Sequence, residues 1–229
     1  MSKPAGGRTF FDAIAGRYDR VYALSSDQSR LRMERVLREL PPAPARVLDL
    51  GVGTGRELPA LLDAGHAPTG LDASDEMLAR CSRRSRPVPL VRADFWQPLP
   101  LPDGSFDAAI ALHGTLAHPP DPGAMGRLAS EVARVVRPGG AWVIEVPAPA
   151  WLDHVERLLA TGHETGREEA RVVRTGARTC RYEDLVVGSS IEARVLDAAE
   201  WRSALEDGWV VQVEPLGVLE WLVVARRTH

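Results

Sequence analysis

Three acids and two histidines stand where strands should end. Asp49 opens the run Asp49-Leu50-Gly51-Val52-Gly53-Thr54-Gly55, Asp72 closes Ala67-Pro68-Thr69-Gly70-Leu71, and Asp94-Phe95 follows the apolar segment Val88 to Val91. His113 and His118 lie in Leu112-His113-Gly114-Thr115-Leu116-Ala117-His118, just after another apolar run. A carboxylate at such a place accepts hydrogen bonds from hydroxyls, and a histidine can take a proton from a reacting group near neutral pH. Alternate glycines from Gly51 to Gly55 leave one side of the backbone without Cβ atoms, so a ligand can lie against bare peptide.

Spacing narrows the ligand. A dinucleotide fingerprint needs G-x-G-x-x-G with its third glycine below a pyrophosphate. Here that position is Arg56 and the glycine falls one residue early, at Gly55, a pattern that suits a nucleoside carrying an amino acid and disfavours an NAD enzyme. Asp72 stands about 20 residues beyond the turn, where the ribose-binding acid of a βαβ unit belongs. Taken singly, these features have plainer readings. The glycine turn could be tight packing, Asp72 could cap the helix that begins at Ala73-Ser74-Asp75-Glu76, and Asp94 could be a solvated turn acid.

The run from Asp49 to Gly55 resembles the first motif of the class I S-adenosylmethionine-dependent methyltransferases, and further pieces follow in the same order. These are Asp72, then Asp94-Phe95, then Phe106 to Leu112 entered through Pro102-Asp103-Gly104-Ser105, then Arg137-Pro138-Gly139-Gly140 before Ala141 to Val146. The likeness covers most of the chain and is densest from Val47 to Val146. It implies S-adenosyl-L-methionine as cofactor, held by Tyr18, Asp49, Gly51, Gly53, Gly55, Asp72, Ala73, Met77, Asp94, Phe95 and Leu112. In that reading Asp72 takes the ribose hydroxyls, and Asp94 takes the adenine amino group with Phe95 against the ring. Tyr18 falls in Phe11-Asp12-Ala13-Ile14-Ala15-Gly16-Arg17-Tyr18-Asp19, which looks like a phrase near the start of small-molecule methyltransferases, where the tyrosine helps cover the cofactor.

The reaction so implied is methyl transfer to oxygen or nitrogen of a small organic metabolite, by in-line attack on a methyl carried by a sulfonium. Alignment supplies much of such a rate, and a base matters when the acceptor must lose a proton. His113 and His118 are the candidate catalytic residues. Position favours His113, which directly follows the strand end and is expected to point toward the sulfonium. Tyr18, His113, Trp151 and Tyr182 are candidate acceptor contacts, and Trp201 is a further aromatic that could line the pocket. Two other readings keep the same cofactor fold: a binding protein without turnover, and an enzyme with a macromolecular acceptor. No spacing of Cys or His suggests a metal.

These residues need a scaffold that brings strand ends together. Alternating strands and helices up to Val146 predict a doubly wound, mostly parallel sheet, seven-stranded and Rossmann-like as the resemblance implies. Its last strands, Trp209 to Val213 and Glu220 to Ala225, are joined through Pro215-Leu216-Gly217. That link is too short for a parallel crossover, so they should be antiparallel. The division expected is an N-terminal helical lid (1–40), a cofactor core (41–146), an insert carrying a β-hairpin (147–196), and a last helix with the final strands (197–229). Arg8 to Leu24 place Phe11, Ile14, Tyr18 and Tyr22 on one helical stripe, and Ser29 to Leu40 form a second helix. Trp151 to Leu159 read as a short helix, Thr161 to Glu169 as a polar, mobile stretch, and Thr179 to Val187 with Ser190 to Leu196 as a hairpin turning at Gly188-Ser189.

A chain of 229 residues fits one α/β domain with additions. Its net charge of -3, with Lys3 as the only lysine, argues against a nucleic-acid partner, for which a basic face is expected. No apolar run approaches the about 20 residues that span a bilayer, and the start lacks signal-peptide character, so a cytoplasmic location without membrane contact is expected. Edge strands of the hairpin could pair in a homodimer.

Overall fold

A computed structural model describes residues 7–23, 25–84, 86–160 and 170–228. In chain order its elements are α1 (Gly7–Ile14), α2 (Tyr18–Val21), α3 (Ser26–Glu39), β1 (Arg46–Leu50), α4 (Leu58–Asp63), β2 (Ala67–Asp72), α5 (Asp75–Arg84), β3 (Leu90–Arg92) and β4 (Phe106–Ala111). There follow α6 (Ala124–Val135), β5 (Val136–Pro147), α7 (Pro149–Ala160), β6 (Ala170–Arg174), β7 (Thr179–Asp184), β8 (Ser189–Arg194), α8 (Ala198–Ala204), β9 (Trp209–Pro215) and β10 (Glu220–Arg227).

Seven strands form one sheet in the order β3-β2-β1-β4-β5-β10-β9. From β3 to β5 every pairing is parallel, while β10 runs antiparallel to both β5 and β9. The expected antiparallel end is therefore present, and the last strand of the chain is an internal strand of the sheet. Alternation along the strands sorts the core. Val47, Ala108, Ile110, Ala141 and Val143 pack toward Met33 and Val36 of α3 and Leu58 and Leu61 of α4. Their neighbours Leu48, Leu50, Ala109, Trp142 and Ile144 pack toward Leu128 and Val132 of α6 and Trp201 of α8. Both faces are covered by helices, which is why these strands read as unbroken apolar runs. Strand order reverses between β1 and β4, so the crevice for a ligand opens at their carboxyl ends.

Several elements differ from the sequence expectation. The helix expected over Arg8 to Leu24 is two short helices, parted at Ala15-Gly16-Arg17. Glycine costs helix stability, and Asp19 is drawn to the glycine turn, where it accepts a hydrogen bond from Thr54 Oγ1 at 2.7 Å. The second helix starts earlier than expected, because Ser25 and Gln28 form a capping box that satisfies its first backbone donors. β5 already begins at Val136, so Arg137 to Gly140 lie within the strand beside a register shift opposite Phe106 and Ala108, and not in a turn before it.

The insert holds a three-stranded antiparallel sheet, β6-β7-β8, where two strands were expected. β7 ends at Asp184 instead of Val187, because the Asp184 carboxylate accepts the backbone N–H groups of Val186 and Val187, both at 3.0 Å, and bends the chain into a turn. Trp201 is 2 % exposed in the core, not in the pocket. The stretch Thr161 to Glu169 lies outside the described residues. Among the described residues no helix is long and apolar enough to cross a membrane.

Candidate active site

The carboxyl ends of β1, β2 and β4 open into a cavity of about 940 Å³, walled on its far side by α1 and by the β6–β8 sheet. That volume lies at the upper end of the range for ligand pockets.

The three glycines of the β1–α4 turn do different things. All have positive φ (70°, 52° and 77° at Gly51, Gly53 and Gly55). A Cβ on Gly53 would meet nothing nearer than the Gly51 carbonyl oxygen at 3.8 Å, so its bare face looks into the cavity. A Cβ on Gly51 would collide with Thr115, whereas one on Gly55 would strike Cys81 Sγ at 2.6 Å. Gly55 thus seats the turn on α5 and stands apart from the cavity lining, while Gly51 and Gly53 border it.

Asp72 braces this turn. Its Oδ2 accepts the Gly53 N–H at 2.8 Å and its Oδ1 the Ser74 N–H at 2.8 Å. The helix α5 is capped by Ser74, whose Oγ accepts the Met77 N–H at 3.1 Å, so capping is not what occupies Asp72. Burial raises the Asp72 pKa, and its carboxylate borders the cavity beside Ala73 and Met77. Asp49 is more extreme. It is 2 % exposed, its Oδ2 has no hydrogen-bond partner, and burial together with the charges of Glu57 and Asp72 pushes its pKa well above the usual range. It borders, with Leu112, Gly51 and Gly53, a small side chamber of about 20 Å³. A buried acid lacking a partner, a bare glycine face and a second acid one strand away form a cradle suited to a ligand with a cationic amino group and hydroxyls. That donor set fits S-adenosylmethionine. Asp94, Phe95, Trp96 and Gln97 border the other end of the cavity, with Asp94 exposed and its Oδ1 accepting the Trp96 N–H at 3.0 Å.

Arg56, the residue in place of a third fingerprint glycine, fastens α2 to the turn. Its Nε lies 3.2 Å from Asp19 Oδ1, its two Nη atoms donate to the Tyr22 carbonyl at 2.8 and 2.7 Å, and its guanidinium sits 5.1 Å from the centre of the Tyr18 ring. Asp19 also pairs with Arg84. Tyr18 is held over the glycine turn, and burial raises the pKa of its hydroxyl.

The two histidines have different surroundings. His113 has a left-handed backbone (φ 57°), a conformation that a non-glycine residue adopts at a cost. Its N–H donates to Glu145 Oε2 at 3.0 Å, its Nδ1 accepts from Arg32 Nη1 at 2.9 Å, and its Nε2 meets Glu57 Oε1 in a very short contact. Arg32 in turn pairs with Glu145 at 2.9 Å. Burial alone would raise the Glu57 pKa, but His113 and Arg56 outweigh it and hold the group below its ordinary value. Both ring nitrogens of His113 are therefore engaged. His118 Nδ1 lies 2.7 Å from the Glu192 carbonyl, which can only accept, so Nδ1 carries the proton. Burial lowers the His118 pKa.

Trp151 and Tyr182 border the cavity, stacked with ring centres 5.7 Å apart and 20° between planes. His118 fits edge-on between Tyr182 (6.2 Å) and Phe11 (6.0 Å). Sequence reading missed Arg32, Glu57 and Glu145. One signal was available: Glu145 is an acid inside the apolar strand Trp142 to Val146, and such a group must find a partner.

Residues 47–140 match a protein family described as a methyltransferase domain. Demethylmenaquinone methyltransferase of Corynebacterium kroppenstedtii is 32% identical over 221 residues, covering 90% of this chain and 89% of that protein. The enzyme of the same name from Beutenbergia cavernae is 38% identical over 148 residues, covering 62% of this chain and 58% of its own length. Among solved structures, the DhpI–SAM–HEP complex is similar at 26% identity with a TM-score of 0.68, covering 95% of this chain and 94% of that one.

Proposed function

Starting from a chain that belongs to the class I S-adenosylmethionine-dependent methyltransferases, we propose that it transfers the methyl group to oxygen or nitrogen of a small organic molecule. The acceptor sits between α1 and the β6–β8 sheet. The observation that carries this reading is the continuity of one cavity: Gly53 and Asp72 border the same space as Phe11, His118, Trp151 and Tyr182. A cofactor on the glycine turn would then face an acceptor held by the aromatic wall.

Asp72 and the Gly53 face are the cofactor's main supports in this proposal, with Tyr18 as its cover, Asp49 beneath its amino end, and Asp94 with Phe95 at its base. His118, not His113, is the histidine that addresses the acceptor, because both nitrogens of His113 are engaged by Arg32 and Glu57. His113, Arg32, Glu57 and Glu145 form the buried support that fixes the chain after β4. The described parts of the expected lid (1–40) and insert (147–196), α1 with Tyr18 and Tyr22 on one side and Trp151 with β6–β8 on the other, act as the substrate-binding walls. Arg17 of the first pairs with Asp184 of the second at 2.8 Å, with both side chains buried.

Calorimetry with S-adenosylmethionine and S-adenosylhomocysteine, followed by a methyl-transfer assay on a panel of small hydroxy and amino compounds, tests the reading. Tight binding of both ligands and methylated product are expected. Cofactor binding without any product would favour a binding protein, and absence of cofactor binding would remove the proposal.

A further inference from the structure

We propose that the methyl acceptor is a neutral aromatic hydroxyl compound, of the phenol or naphthol class, and that His118 Nε2 receives its proton. This rests on the methyl-transfer reading above and names the substrate class of the same site.

Shape comes first. The acceptor side of the cavity is walled by Phe11, Trp151 and Tyr182, with Val172 and Ile191 from the small sheet and Pro119 beside His118. The Trp151–Tyr182 pair sets two aromatic rings nearly parallel on the cavity wall, and such a stack can be extended by a further flat ring in offset geometry.

Charge comes second. Each arginine that borders the cavity already has a carboxylate: Arg32 with Glu145, Arg56 with Asp19, Arg171 with Glu183 and Arg8 with Asp75. An acceptor bearing a carboxylate or phosphate would find no unpaired arginine among the described residues that border the cavity, with the His154 ring as the one further basic group there besides His113 and His118, and burying its charge is costly. Glu192, which holds His118 through its carbonyl, has its carboxylate near Arg181 (3.7 Å) and Thr175 (3.2 Å) and is already engaged. Glu145 is paired with Arg32 and Asp94 stands at the cofactor end, which leaves Glu220 as the carboxylate that the benzylamine arm of the test addresses.

The histidine supplies the third argument. With the proton fixed on Nδ1 by the Glu192 carbonyl, Nε2 carries a lone pair on a ring that borders the cavity. A lone pair in an apolar, ring-lined space asks for a donor, and the hydroxyl of a flat ring provides one. In the reaction the phenol oxygen forms a bond to the methyl carbon and the carbon–sulfur bond breaks with its electron pair passing to sulfur. The hydroxyl proton moves to His118 Nε2, and the resulting imidazolium returns it to solvent when the product leaves.

The test uses 2-naphthol, benzoate and benzylamine as binding probes of the full chain loaded with S-adenosylhomocysteine. Naphthol should bind and quench tryptophan fluorescence, the quench should be lost in Trp151→Phe, and benzoate and benzylamine should bind at least about tenfold more weakly. His118→Asn keeps an N–H that can serve the Glu192 carbonyl, so it should retain the fold, cofactor binding and naphthol binding. Its naphthol turnover should fall by about 100-fold or more, while turnover of a nitrophenol ionised at the assay pH stays within a few-fold of the parent. Preferred binding or methylation of benzoate or benzylamine would overturn the inference, as would equal losses for naphthol and nitrophenol, or undiminished naphthol turnover. If S-adenosylmethionine itself fails to bind, the broader methyl-transfer reading falls. If it binds and no phenol does, only this inference falls.

Discussion

At the amino ends of β1, β4 and β5, Asp107 lies between two arginines, accepting from Arg46 N–H at 2.7 Å and Arg46 Nη2 at 3.1 Å and from Arg137 Nε at 2.7 Å. At the carboxyl ends of β1 and β2, Asp49 and Asp72 have no arginine among their hydrogen-bond partners in the described residues. The pKa values follow the partners. The Arg46 hydrogen bond pulls Asp107 down to about 2, whereas burial pushes Asp49 and Asp72 up. One end of the sheet uses its acids to tie neighbouring strands together. The other end leaves Asp49 Oδ2 short of a partner and gives Asp72 only backbone N–H groups, which is the arrangement expected where a ligand completes the electrostatics. In the proposed reading, stability and binding fall to opposite edges of the same strands.

Breaking the binding edge should give the largest effect. Gly53→Val places a branched side chain on a backbone with φ 52° and fills the bare face. Affinity for S-adenosylmethionine in calorimetry should drop by about 100-fold or more, and unchanged affinity would dissolve the distinction between the two edges. Asp49→Asn should lower that affinity by about tenfold while raising the melting temperature of the ligand-free protein by a few degrees, about 1 kcal/mol. The sign with pH follows from linkage. The folded pKa of Asp49 is raised, so the folded state keeps its proton longer, and wild-type stability falls as pH rises from the unfolded value near 3.8 through the raised one. The advantage of Asn should therefore vanish below about pH 4.

Asp107→Ala should do the reverse. Cofactor affinity should stay within about twofold, while stability falls by about 1 kcal/mol after allowance for solvent screening. Its folded pKa is depressed, so that contribution is present above 3.8 and fades as pH falls toward about 2. A denaturant titration across acid pH checks both signs. The smallest effect concerns an exception. His66, just before β2, is 7 % exposed with Nδ1 unpartnered, and burial lowers its pKa. Its contribution is complete above 6.5 and is lost as pH falls below that value, so His66→Gln should flatten the stability curve there by a few tenths of a kcal/mol.

What the sequence disclosed was local. The glycine turn, the acids at 49 and 72 and the antiparallel end of the sheet follow from neighbouring residues or from the length of a link, and each is found in its expected place. The break at Gly16 was hidden because a helical stripe continues through it, and only Thr54, Arg56 and Arg84 reaching Asp19 from elsewhere resolve the matter. β6 is a short run flanked by arginines whose strand character comes from pairing with β7. His113 was expected to point at the reacting atoms because it follows a strand. Its left-handed backbone instead sets the ring between Arg32 and Glu57, and those partners lie 81 and 56 residues away.

The pairing of Arg17 with Asp184 spans 167 residues, and Phe10 and Ile14 pack with Ile191 across a similar separation. During synthesis α1 and α2 leave the ribosome long before the small-sheet strands that cover part of their surface. At about 5–20 residues per second that interval is on the order of ten to thirty seconds. The parallel strands β1 to β5 and the glycine turn emerge within it, so the floor of the cavity can assemble, with α1 resting on Met77 and Ser74 and α2 held by Thr54 and Arg56, before the small sheet arrives. The contact between the two walls of the pocket is then the last to form.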